Sequence, residues 1–149
     1  MGPITSFQGE YRWLSNFWPA RISYDGLIFD SVEHAYVASK CQDTKDQFKV
    51  QACKTPGDAK RLGRTIKIRE DWDDVKVSEM YGLLRQKFFF NEGLGKKLLA
   101  TGDRELIEGN TWNDRFWGVC NGKGENHLGV LLMTIREQLR KSTAELGSR

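Results

Sequence analysis

The polar and apolar positions follow two different periods, one near the start of the chain and another after it. In "ARISYDGLIFDS" (residues 20–31) strand-forming residues flank Asp25-Gly26. That dipeptide is favoured in two-residue type I′ turns, so the segment predicts a β-hairpin. The stretch before it reads as further short β segments. Asp30 or Ser31 then stands where a residue can cap a helix through "VEHAYVASK" (32–40). Along that helix Glu33, Tyr36 and Lys40 recur at steps of three and four, which puts an acid, a phenol and an amine on one stripe. Their neighbours Val32, Ala35, Val37 and Ala38 are apolar.

Helical patterns continue at 44–52, 56–63, 73–91 and 93–101, with Pro56 suited to a first turn. Residues 104–110 and 116–120 read as short strands or extended loops. The clearest helix covers 125–141, where Leu128, Leu131, Leu132, Ile135 and Leu139 recur at helical spacing. The ending "KSTAELGSR" (141–149) reads as a flexible tail. Together these predict an α+β fold, a compact, mostly helical single domain over residues 1–149 with a small antiparallel sheet. A length of 149 residues suits one domain with a sizeable core.

Composition narrows the function classes. Hydrophobic content of 39% and charged content of 29% are those of an ordinary globular protein. No apolar run approaches the roughly 20 residues of a membrane span. No charged-then-apolar leader opens the sequence, so a cytoplasmic location is expected. Cys41, Cys53 and Cys120 are odd in number, widely spaced and without a CxxC pair, which predicts reduced thiols rather than a disulfide framework or zinc site. With only His34 and His127 as imidazoles, no metal centre is expected.

Net charge of +3 is too small to imply nucleic acid, but the charge is uneven. Residues 54–69 carry six basic residues against one acid, and four acids follow within 70–74. Such a segment either holds a phosphate or is a solvated face with its counter-charges.

Each chemical candidate also has a structural reading. Asp30-Ser31-Val32-Glu33 has capping-box spacing, in which Glu33 would reach back to the first amide of the helix. Lys40 can complement the helix dipole as a last-turn lysine. His34 reads as a packed or capping residue. In "GNTWNDRFWG" (109–118), Trp112 and Trp117 can stack on a planar base while Asn113 and Asp114 read polar edges, or both tryptophans can clamp the loop from the core. "YRWLSNFWP" (11–19) repeats the pattern of aromatics around Ser15 and Asn16.

The succession "YRWLSNFWP", "FDSVEHAYVASK", "DAKRLGRTIKIREDW", "LLATGDRELIEGN", "DRFWGV" and "GENHLGVLLMTIREQL" resembles the NADAR/YbiA-like family, collinearly from about residue 7 to 140. The resemblance implies a mostly helical α+β domain associated with NAD and ADP-ribose metabolism. Members are implicated as N-glycosidases, on ribosylamino-pyrimidine phosphates of early riboflavin synthesis or on ADP-ribosylated guanine. It also implies Glu33, Lys40 and Asp114 as catalytic residues. Ser15, Asn16, Phe17, Tyr36, Arg64, Trp112 and Trp117 are implied in substrate binding, with Gly63 beside Arg64 in the LGR motif. In one departure, many relatives have glycine where this chain has Cys120. If that position needs φ > 0, the loop here is differently shaped.

Breaking a ribosyl C–N bond builds positive charge on the sugar, which a nearby carboxylate stabilises. The lysine route adds attack of a neutral amine on the anomeric carbon. An unperturbed lysine is neutral only about 0.04% of the time at pH 7, so Lys40 should be partly buried with a lowered pKa. Glu33, Tyr36, Lys40, Asn16 and the 112–117 loop are expected to line one pocket. The expected partner is a small ribosyl phosphate or an ADP-ribosylated nucleobase, free or within nucleic acid. No cofactor, membrane or obligate protein partner is expected. A non-catalytic module that recognises NAD or ADP-ribose would need the basic and aromatic residues but neither Glu33 nor Lys40. A purely structural domain would bury its tryptophans.

Overall fold

Asp25 and Gly26 both take the left-handed backbone that a type I′ turn demands, at φ 52° and 82°. In the computed structural model, which describes residues 1–147, strands β1 (Pro19–Tyr24) and β2 (Leu27–Ser31) pair antiparallel across that turn. Ile22 and Phe29 face each other in register and are both buried. The chain divides into two units, and this hairpin belongs to the one spanning Asn16–Lys87.

Within that unit α1 (Val32–Lys40) follows β2 directly and packs on the hairpin, on α2 (Thr44–Gln51) and on α3 (Pro56–Leu62). Thr55 caps α3 by accepting from the Asp58 amide, with Pro56 at its first position. The chain then returns along the end of α1: the Gln42 amide donates to Lys67 O and the Arg69 amide to Lys40 O, at 2.9 and 3.0 Å. This return brings the basic segment beside Lys40. The next helix, α4 (Trp72–Phe89), closes the unit, and its Met80, Leu83 and Leu84 join a core with Val32, Ala35, Val37 and Val50.

The other unit joins Met1–Ser15 to the chain from Phe88 onward. Its opening does not form the short β segments expected. Residues Gly9–Leu14 form a 3-10 turn, with Gly9 at φ 61° and i→i+3 bonds, and Trp13 and Leu14 are buried, Trp13 edge-on to Phe88. Helix α5 (Glu92–Ala100) packs on α6 (His127–Gly147), whose Leu128, Leu132, Ile135 and Leu139 are buried. Between them β3 (Gly109–Asn110) and β4 (Val119–Cys120) pair in parallel, a second small sheet beside the expected antiparallel one.

The fold is α+β and mostly helical, as the periodicities predict. Over the segment read as a tail, α6 continues through 141–147, and residues 148–149 lie outside the described part. No described helix is long and apolar enough to cross a membrane.

Candidate active site

Six of the nine residues of α1 are buried, namely Val32, His34, Ala35, Val37, Ala38 and Ser39. The three that are not are Glu33, Tyr36 and Lys40, each partly exposed. The stripe is therefore the one face of this helix that reaches solvent, and it is framed by core on both sides. Local structure fixes it there. Ser31 is the cap, accepting the His34 amide at 3.1 Å, so Glu33 is one residue too early for the expected capping box. Asp30 cannot serve because β2 runs on through Ser31. His34 is structural: its Nδ1 meets Ser31 Oγ at 2.7 Å and its Nε2–H reaches Cys53 O at 3.0 Å. With both ring nitrogens engaged, His34 holds the helix start rather than offering a base.

Asn16 sits at the same helix end. Its carbonyl accepts the Glu33 amide at 3.0 Å, and its Nδ2 donates to Met80 Sδ at 3.6 Å. Its Oδ1 is buried and meets no donor among the described residues. A buried acceptor without a donor is costly, and it marks a place where a ligand hydroxyl is welcome. Phe17, the next residue, is exposed and has Lys60 Nζ 5.9 Å above its ring. Tyr36 is braced by Trp72 at the start of α4, with ring centroids 5.2 Å apart.

Lys40 is half-buried, and burial lowers its pKa from the ordinary lysine value. Glu33 and the Cys41 thiol pull it up, and the Arg64 guanidinium pushes it down. Burial and the positive Arg64 thus favour the neutral amine, and the Glu33 carboxylate opposes them. Arg64 itself is exposed, just past α3.

An open cleft of about 590 Å³ in the same unit is lined by none of Asn16, Phe17, Glu33, Tyr36, Lys40 and Arg64. It is lined by Tyr24, Ser39, Cys41, Gln42, Arg69 and Asp71 among others. Burial and Asp46 push the Cys41 thiol up to about 11, so it is protonated at neutral pH. Arg69 is forked onto Asp71 through contacts of 2.6 and 2.9 Å.

The remaining nominated residues, Ser15, Trp112, Asp114 and Trp117, belong to the other unit. Ser15 ends the 3-10 turn, its amide bonded to Arg12 O. Asp114 organises its loop: Oδ1 accepts from the amides of Phe116 and Trp117 at 3.1 and 2.9 Å. Asn110, which sequence reasoning did not single out, clasps the same residue by accepting its amide at 3.0 Å and donating to its carbonyl at 2.9 Å. Neither tryptophan is core. Trp112 is exposed, and the partly exposed Trp117 lies edge-on to Phe116, with centroids 4.9 Å apart. Cys120 does not take the left-handed backbone; Asn121 does, at φ 53°. The turn is accommodated one residue later, and Cys120 is a buried strand residue.

Two further residues were missed. Trp72 had a signal, an aromatic opening a helix after an acidic pair. Lys87 had none in its own identity. It is fully buried, and burial lowers its pKa to about 7.

The chain was compared with known proteins. A family model described as the NADAR domain matches residues 5–140. A protein of Vibrio vulnificus named as a riboflavin biosynthesis protein is 41% identical over 93% of this chain, which spans only 39% of that protein's length. The N-glycosidase YbiA of Shigella boydii is 40% identical, over 90% of this chain and 85% of its own. The solution structure of the Escherichia coli protein YbiA superposes with a TM-score of 0.84 at 36% identity, covering 96% of this chain and 86% of that one.

Proposed function

The chain belongs to the NADAR domain family, and from that premise we propose that it is an N-glycosidase hydrolysing a ribosyl C–N bond, with Lys40 as nucleophile and Glu33 as its acid–base partner. The observation that carries this reading is the stripe on α1. Its three partly exposed side chains are a carboxylate, a phenol and an amine whose charge is destabilised by burial. Relatives named as N-glycosidases that match over most of their length support it.

In the proposed reaction the neutral Lys40 amine attacks the anomeric carbon and the bond to the base nitrogen breaks. The base leaves with that electron pair and takes a proton from Glu33, which recovers one from the ammonium formed on Lys40. The sugar ring opens to an imine on Lys40; water adds to the imine carbon and expels the amine, regenerating the enzyme. Glu33 and Lys40 are seven residues apart, roughly 10 Å along the helix axis. Long side chains can close on one sugar from both ends of that span.

Asn16 Oδ1 is the proposed acceptor for a sugar hydroxyl, and Arg64 the proposed phosphate contact. Tyr36, with Phe17 next to Asn16 in sequence, supplies aromatic surface. Asp114 is assigned a positioning role, since its Oδ1 is committed to two amides. The substrate class is either ADP-ribosylated guanine or a phosphoribosylamino-pyrimidine of riboflavin synthesis. Incubation with each, followed by analysis of the released base, tests the reading. Borohydride added during turnover should trap ribose on Lys40, and the Lys40→Ala protein should trap nothing. Binding of ADP-ribose without release from either substrate would leave a non-catalytic recognition module instead.

A further inference from the structure

Gly63 ends α3 with φ −60° and ψ −18°, an ordinary right-handed conformation. Any residue adopts it, and alanine would be preferred there on backbone grounds. The reason for glycine lies in what it faces. A Cβ built on Gly63 would stand 3.0 Å from Val37 Cγ1 and 3.2 Å from both Cε and Nζ of Lys40. These contacts are too close to leave the neighbours where they are.

Which neighbour would yield follows from their chemistry. Val37 is fully buried and β-branched in mid-helix, so its rotamer is fixed. The turn cannot retreat either. Its amides are bonded within the turn, Arg64 to Arg61 O and Thr65 to Leu62 O, at 3.1 and 2.9 Å. The chain just beyond is tied to α1 through Gln42–Lys67 and Lys40–Arg69. The flexible arm of Lys40 is what remains to move.

We propose that Gly63 is a positioning residue for Lys40: by carrying no side chain, the end of α3 leaves the space in which the Lys40 amine lies, with Arg64 as the adjoining positive charge. The consequence for turnover rests on Lys40 being the nucleophile; the placement of the amine does not. The groups acting on that amine are Glu33 from α1, the Cys41 thiol at its end and Arg64 from the α3 turn, over and above burial. An alanine at Gly63 would press on the end of the Lys40 arm and shift the amine, which is expected to return toward ordinary lysine behaviour. Loss of the charge at Arg64 would act in the same direction by a different route.

The test is made on the ligand-free full chain. The pH dependence of Lys40 modification by an amine-directed reagent is read by peptide mass spectrometry, with exposed Lys45 as internal reference. In the unaltered protein the Lys40 midpoint should lie below that of Lys45. Gly63→Ala and Arg64→Gln should each raise it by about half a unit or more, and Arg64→Lys should restore it. With substrate, Gly63→Ala should lower kcat by about tenfold or more, with a smaller change in KM, while the unfolding midpoint is kept. A Lys40 profile unchanged in a folded Gly63→Ala protein overturns the proposal. If that variant fails to fold, an unchanged profile in Arg64→Gln overturns it. A shifted profile together with full turnover in Lys40→Ala would uphold the positioning and instead remove Lys40 as nucleophile.

Discussion

Glu33 and Asp114 are both acids that the motifs mark as catalytic, and the two regions hold them in opposite ways. Asp114 sits in a loop with little regular structure, and its Oδ1 supplies what the backbone lacks by accepting two amides in succession. Glu33 sits on a helix whose amides are already provided for by Ser31 and the Asn16 carbonyl. Its carboxylate is not needed as the cap, and it lies on a face shared with a half-buried amine. A carboxylate that the backbone requires is poorly placed to change its charge during a reaction. One spared that duty can change its charge without costing the helix its cap.

The largest effect should come from breaking the first member of the pair. Glu33→Gln is expected to lower kcat by about 10²–10³-fold with the fold retained, since glutamine cannot supply the proton that the leaving base takes. Thermal unfolding and rate, measured together, decide this. Full activity with lower stability would return Glu33 to a structural role.

Lys87 gives the next largest effect and supplies a control for Lys40 within the same unit. The unfolded chain holds a lysine proton up to about pH 10, whereas the folded protein releases it near 7 because the site is buried. Between those values the unfolded state binds more protons, so this residue makes stability rise with pH; below 7 both states are protonated and its penalty is full and constant. Lys87→Met should therefore stabilise the protein at pH 6 by as much as about 4 kcal/mol and much less at pH 10. Denaturant titrations of both proteins at the two pH values check it. An equal difference at both would mean that burial of charge is not what Lys87 contributes.

Asp114 should separate the regions more finely. Asp114→Ala should cost about 1–3 kcal/mol by leaving two amides without an acceptor. Asp114→Asn keeps an oxygen there and should recover most of that stability along with turnover. An asparagine variant that is stable yet inactive would make the charge catalytic and erase the contrast with Glu33.

The smallest effect concerns the cap. Ser31→Ala should lose about 0.5–2 kcal/mol while turnover persists. Circular dichroism melts and steady-state rates distinguish that result from a collapse of activity, which would mean that Glu33 depends on the cap for its placement.

Periodicity and turn chemistry were enough to specify the hairpin at Asp25-Gly26, the helices α1 to α6 and the alignment of Glu33, Tyr36 and Lys40. These depend on steps of two to four residues, a range over which side-chain direction is set by local backbone geometry. Local signals were also what misled. The capping-box spacing at Asp30 was displaced by one residue because strand pairing carried β2 through Ser31, and part of the opening stretch read as β closed into a 3-10 turn. Only tertiary structure decided how charged the stripe can be. Burial of Lys40, the nearness of Gly63 across 23 residues of sequence, the Trp72 brace on Tyr36 and the fully buried Lys87 all come from packing between segments distant in sequence. The physical reason is that a residue's type fixes which charge it carries, whereas its solvation and neighbours, which fix how readily it gives up that charge, exist only once the chain has folded around it.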